Sequence, residues 1–99
     1  MGKAGKLRII LAEPNRKAVI SYIDCAYKAM QDIVGGRLET FGLNNELYIV
    51  CNADGKARGL PENRFGVYGT FFMCRSNADG KFASVKKRDI EIINGEGEK

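Results

Sequence analysis

The sequence predicts an α+β domain: an antiparallel sheet of about five strands, one long helix packed on it, and a short C-terminal helix. Three observations predict it. Short apolar runs alternate with turn residues along most of the chain. Residues 24–34 repeat their apolar side chains at helical spacing instead. The length of 99 residues suits one small domain, which buries roughly 60–65% of the surface its unfolded chain exposes.

The elements follow in order. Residues 6–13 are rich in Leu and Ile and read as a first strand, and Pro14-Asn15 is turn chemistry. Residues 17–23, with Val19-Ile20 and Tyr22-Ile23, complete a hairpin. Asp24 is placed to cap a helix running to Val34 and to pair with Lys28 one turn on. Ala26, Ala29, Met30 and Ile33 form its buried face, while Lys28, Gln31 and Asp32 face water. Gly35-Gly36 stops it by supplying a left-handed residue.

Residues 37–43 alternate and pair with residues 46–51 through an Asn44-Asn45 turn. Residues 69–75 (GTFFMCR) make a strand buried on both faces or nearly so. The pentapeptide Asn-Ala-Asp-Gly-Lys occurs at residues 52–56 and again at 77–81, and both copies read as similar turns after strands. Ser84 is placed to cap a last helix through Ile93, with Val85, Asp89, Ile90 and Ile93 setting its register. The domain then spans residues 6–93, between a flexible start at 1–5 and a Gly- and Glu-rich tail, 94–99, expected to be disordered.

Composition narrows the function. The net charge is +4, enough to favour anions but below the density of a DNA-packaging protein. Histidine is absent, which excludes Ser-His-Asp and Cys-His catalysis and histidine-ligated metals. Cys25, Cys51 and Cys74 form no C-x-x-C, and their apolar neighbourhoods read as three buried thiols. Neither a signal peptide nor a membrane-spanning run is visible, so the chain reads as a cytoplasmic protein without a membrane partner.

The most informative stretch is the loop 52–64 (NADGKARGLPENR). It combines Asp-Gly turn chemistry with a stiff Gly-Leu-Pro step and the polar side chains of Lys56, Arg58, Asn63 and Arg64. A bland reading makes it a wide connection. The sharper one makes it a ligand loop, in which Asn63 reads a hydrogen-bonding edge and Arg64 forks onto a phosphate. Asn52, Lys56, Arg58, Gly59, Leu60, Pro61, Asn63, Arg64, Tyr68 and Thr70 are the expected ligand-binding residues. Phe71 and Phe72 are assigned to the core, and Tyr68 is the aromatic beside the loop expected to be exposed. Asp54 and Asp79 read as turn residues, Lys86-Lys87-Arg88 as a solvated face, and no catalytic residue or cofactor is expected.

Several pieces together carry a resemblance: Ala12-Glu13-Pro14, Gly35-Gly36, Cys51-Asn52, residues 59–64 (GLPENR) and residues 69–72 (GTFF). With them the chain resembles a domain-of-unknown-function family encoded mainly by bacteriophages and mobile elements of Gram-positive bacteria, over residues 6–93. The resemblance implies a phage setting, where small basic proteins often counter host defence, and brings no catalytic residues. The expected function is a non-catalytic sponge that sequesters a small phosphorylated, nucleotide-derived immune signal. The alternative is an interaction protein that inhibits a host protein or binds nucleic acid through a basic face. A small hydrolase is the third and weakest-supported reading. A limited core also points to a homo-oligomer.

Overall fold

The computed structural model describes residues 5–44 and 46–97. Strands β1 (Lys6–Ala12), β2 (Val19–Asp24), β3 (Leu38–Gly42), β4 (Leu47–Asn52), β5 (Phe71–Ser76) and β6 (Phe82–Ala83) form one antiparallel sheet in the order β2-β1-β5-β4-β3. The short β6 pairs with the end of β5, Arg75 facing Ala83. Helices α1 (Tyr27–Val34) and α2 (Ile90–Gly97) complete the fold. No helix among the described residues is long and apolar enough to cross a membrane.

Period-two alternation explains the layers, because successive strand side chains point to opposite faces. On β5, Phe72 and Cys74 join a cluster with Leu7, Ile9, Met30 and Val34 beneath α1. Phe71 and Met73 join the opposite cluster with Ile10, Ile49, Val85 and Ile93 beneath α2. The central strand is therefore buried on both faces, as its continuous apolar run predicts.

The helices depart from expectation. Helix α1 is eight residues, not long, because β2 continues through Asp24 to match the start of β1. Asp24 pairs with Lys6, Nζ to Oδ1 at 2.7 Å, and caps nothing. Ala26, extended and exposed, precedes the helix without a side-chain cap. Lys28 pairs with Asp32 rather than Asp24. Met30 and Val34 are the buried side chains, and Gly35 (φ 85°) ends the helix as expected.

At the other end, Ser84 does not cap a helix either. Its hydroxyl accepts from the Arg8 backbone N–H at 2.9 Å, and the Val85 N–H donates to the Arg8 carbonyl. The chain runs beside β1 before a 3-10 turn (Lys87–Asp89) leads into α2. Arg75 clamps this junction: its Nε and Nη2 reach the two Asp89 oxygens at 2.7 and 2.8 Å. Helix α2 continues to Gly97, through residues expected to be disordered, while residues 98–99 and the start 1–4 lie outside the described residues.

Candidate functional site

The two copies of the pentapeptide build the same turn. The Asn52 Oδ1 accepts from the Asp54 N–H at 2.8 Å, and the Asn77 Oδ1 accepts from the Asp79 N–H at 2.9 Å. In each, the glycine N–H returns to the asparagine carbonyl. The copies then diverge. The second closes onto β6 through the Asn77 N–H and the Lys81 carbonyl, with Gly80 left-handed (φ 79°). The first opens into a loop that folds back on itself: Gly55 packs so closely on Tyr68 that a Cβ there would run into the Tyr68 carbonyl oxygen.

Asn63 is the hub of that loop. Its Nδ2 donates to the carbonyls of Ala12 (3.1 Å) and Gly69 (2.8 Å), and its Oδ1 accepts from the Arg64 N–H. Phe65 follows in a left-handed conformation (φ 60°), which is strained for a bulky side chain, and lies edge-on against Phe71 with centroids 6.2 Å apart. The aromatic contact and the Asn63 anchors hold that geometry in place.

The expected site residues divide among three concavities. The first, of about 360 Å3, has walls from Ile33, Val34, Leu60, Pro14 and Pro61. Asn52, Arg58 and Thr70 supply its polar groups. In the second, about 340 Å3 beside β3 and β4, Lys56 lies over the half-buried Tyr68 ring, 5.8 Å from its centroid. The third, about 590 Å3, lies across Asn15, Arg16, Lys17, Glu62 and Arg64 and is lined by no apolar residue. Gly59 is exposed and lines none of them.

Several expected roles change on this geometry. Asn63 spends both of its amide hydrogens on backbone carbonyls, so they hold the loop rather than stand free for a ligand edge. Asn52 is buried, with its Nδ2 donating to the Val34 carbonyl at 3.2 Å, and so caps the end of α1. Arg64 lines a different concavity from Arg58, and its Nη1 donates to the Arg16 carbonyl at 3.2 Å. Sequence reasoning missed Pro14, Ile33 and Val34 as pocket walls, since their approach to residues 60–61 depends on long-range strand pairing. Glu13-Pro14 and Gly35 did stand among the motif pieces, which was the available signal.

The thiols are not all buried. Cys25 is exposed, because the chain leaves β2 there. Cys51 and Cys74 are buried, and burial pushes both thiols up, Cys74 to about 12. Neither is an activated nucleophile. Asp54 is held by Arg37, Nη2 to Oδ1 at 2.7 Å, in keeping with a turn role. No group of three or more Cys, Asp or Glu among the described residues is arranged to hold a metal ion.

The first concavity is the candidate site. Its volume falls in the range of small-ligand pockets (about 300–1,000 Å3), and it combines apolar walls with a few convergent polar groups. The larger one is lined by polar and charged residues alone. Residues 14, 35, 52, 60–61 and 69–70, from every motif piece that carried the resemblance, meet in this one place.

Fold and site define a small α+β domain with a pocket between a sheet, a helix end and a folded-back loop. The chain belongs to the family described as Domain of unknown function (DUF3846), whose model matches residues 7–96. No curated protein and no solved structure matches it.

Proposed function

We propose that this protein binds a small phosphorylated, nucleotide-like ligand in the pocket between Pro14, Val34, Leu60 and Thr70, and releases it unchanged. The observation that carries this is the make-up of that pocket: apolar walls suited to a flat ring, a hydroxyl, and the Arg58 guanidinium. Arg58 is exposed and has no ion-pair partner among the described residues. A guanidinium in that position offers a planar fork to a phosphate. Capture without turnover needs a rigid pocket and no catalytic group, which suits a chain without histidine. In a phage setting such a protein would act as a sponge for a nucleotide-derived immune signal, as a homo-oligomer in the host cytoplasm.

A second reading is an interaction protein acting through a basic surface, and the exposed run Lys86, Lys87 and Arg88 favours it. Mass spectrometry of small molecules released on denaturing the purified protein separates the two. An intact phosphorylated ligand, lost from an Arg58→Ala variant, supports capture. A hydrolysed product overturns the non-catalytic reading, and an empty protein favours the second.

A further inference from the structure

We propose that Arg16, Lys17 and Arg64 form a second anion site, separate from the ligand pocket, that takes a diphosphate-type group. Three cations border one concavity of about 590 Å3, with Glu62 the one carboxylate in its lining. None of the three cations has an ion-pair partner among the described residues. Four other cations, Lys6, Lys28, Arg37 and Arg75, each hold a carboxylate, whereas these three stand unpaired around one concavity. A cluster of unpaired like charges costs stability through repulsion, and a bound anion relieves it.

The site is also built rather than casual. Its two walls, residues 15–17 and 62–64, are tied together twice. Asn63 donates from Nδ2 to the Ala12 carbonyl just before the first wall, and Arg64 donates from Nη1 to the Arg16 carbonyl within it. The Arg64 backbone is fixed as well, its N–H donating to the Asn63 Oδ1 at 2.8 Å. The guanidinium of Arg64, a half-buried residue, is thus held, and its remaining N–H groups meet no acceptor among the described residues. The turn beneath Arg16 is set by Asn15 (φ 62°) and by the Arg16 N–H donating to the Glu13 carbonyl at 3.2 Å. Preorganisation of this kind reduces the ordering cost of binding. Asn94, from α2, adds an amide to the third side. Every residue that lines the concavity is polar or charged, and its apolar surface comes from their carbon stems, which points to an oxyanion and sets it apart from the ligand pocket with its Leu, Ile, Val and Pro walls.

Amide NMR titration of the full chain with pyrophosphate, against sodium chloride at matched ionic strength, tests this. Saturable shifts centred on residues 15–17 and 62–64 are expected. Arg16→Ala with Lys17→Ala, both at exposed positions, should weaken them about tenfold or more while the melting temperature holds. Arg64→Lys, which keeps the charge but not the fork, should weaken them less. Arg58→Ala should leave them unchanged. No saturable shift beyond chloride overturns the second site. So does loss of pyrophosphate binding in Arg58→Ala, which would assign the anion to the ligand pocket instead.

Discussion

The Asn52 side chain donates to the Val34 carbonyl at 3.2 Å, so the last residue of β4 closes the last turn of α1. The same side chain accepts from the Asp54 N–H and sets the turn that launches the loop. One buried amide thus fixes the helix end and the loop start that face each other across the pocket. Arg58, across that pocket, has a terminal nitrogen 3.5 Å from where a Gly36 Cβ would stand, close to the carbonyl end of the helix that favours a cation.

Asn52→Ala removes both bonds and leaves the Val34 carbonyl without its partner. The expected loss is about 1–3 kcal/mol, with a drop in melting temperature of about 4–8 °C per kcal/mol for a domain this size. Chemical and thermal denaturation of the variant measure it. An unchanged midpoint would show that water replaces the amide without cost.

The twin turns give a comparison within one chain. Gly55 has no room for a side chain, because the Tyr68 backbone occupies the space, whereas Gly80 has open space but a left-handed backbone. Gly80→Ala should cost about 1 kcal/mol, the usual penalty of that conformation. Gly55→Ala should cost more, and should shift the loop at Tyr68, because backbone rather than a movable side chain must give way. Paired denaturation curves read the order, and a reversed order refutes the account.

How much of this was legible follows from the range of the interactions. Strand periods, the Gly35 stop and both Asp-Gly turns are local, and the sequence displays them. The length of α1 was not, because Asp24 is a good cap by residue type yet is claimed by Lys6, eighteen positions away. Ser84 was misread for the same reason, its hydroxyl being taken by Arg8. At the site, the loop stood out by composition, and half of its expected residues do line the pocket. Asn63 and Arg64 looked free because nothing local shows that the carbonyls of Ala12, Gly69 and Arg16 lie beside them.

Cysteine reactivity should be unequal. Cys25 is exposed, while Cys51 and Cys74 are buried and held protonated. Iodoacetamide at pH 8 should add one group to the native protein and three to the denatured one, by intact-mass measurement. The raised Cys74 value also makes the fold lose stability as pH rises from about 9 towards 12, because the unfolded thiol gives up its proton first. Rapid native alkylation at Cys74 would contradict its burial.

Acid should act through Asp89. Its carboxyl is held below the usual carboxylate range, chiefly by the hydrogen bonds from Arg75, and the Lys86 N–H also donates to it. Over that window the unfolded chain binds more protons than the folded one, so stability is present above about pH 4 and falls as pH drops below it. Asp89→Asn should cost about 2–3 kcal/mol at neutral pH, less than breaking a wholly buried pair, because Glu46 still reaches Arg75 at 3.0 Å. Its stability curve should also be flatter in acid than that of the wild type. A variant with an unchanged acid limb would move the titrating group elsewhere.

The division of labour between Arg58 and Arg64 decides the proposed function. The sequence placed the ligand's phosphate on Arg64, but that side chain is bound to the Arg16 carbonyl and lines a different concavity from Leu60 and Pro61. Arg58 is the cation of the ligand pocket. Removing it should cost about 1.5–3 kcal/mol of binding, about ten- to a hundredfold in affinity, and leave the melting temperature of the ligand-free protein nearly unchanged. Arg64→Ala should do the converse: it frees the Arg16 carbonyl, loosens the turn at Asn15 and lowers the melting temperature with or without ligand. Calorimetric titration of both variants against the ligand recovered from the native protein, alongside their thermal melts, reads the two effects separately. Should Arg64→Ala abolish binding while Arg58→Ala leaves it intact, the pocket between Leu60 and Val34 is not the site.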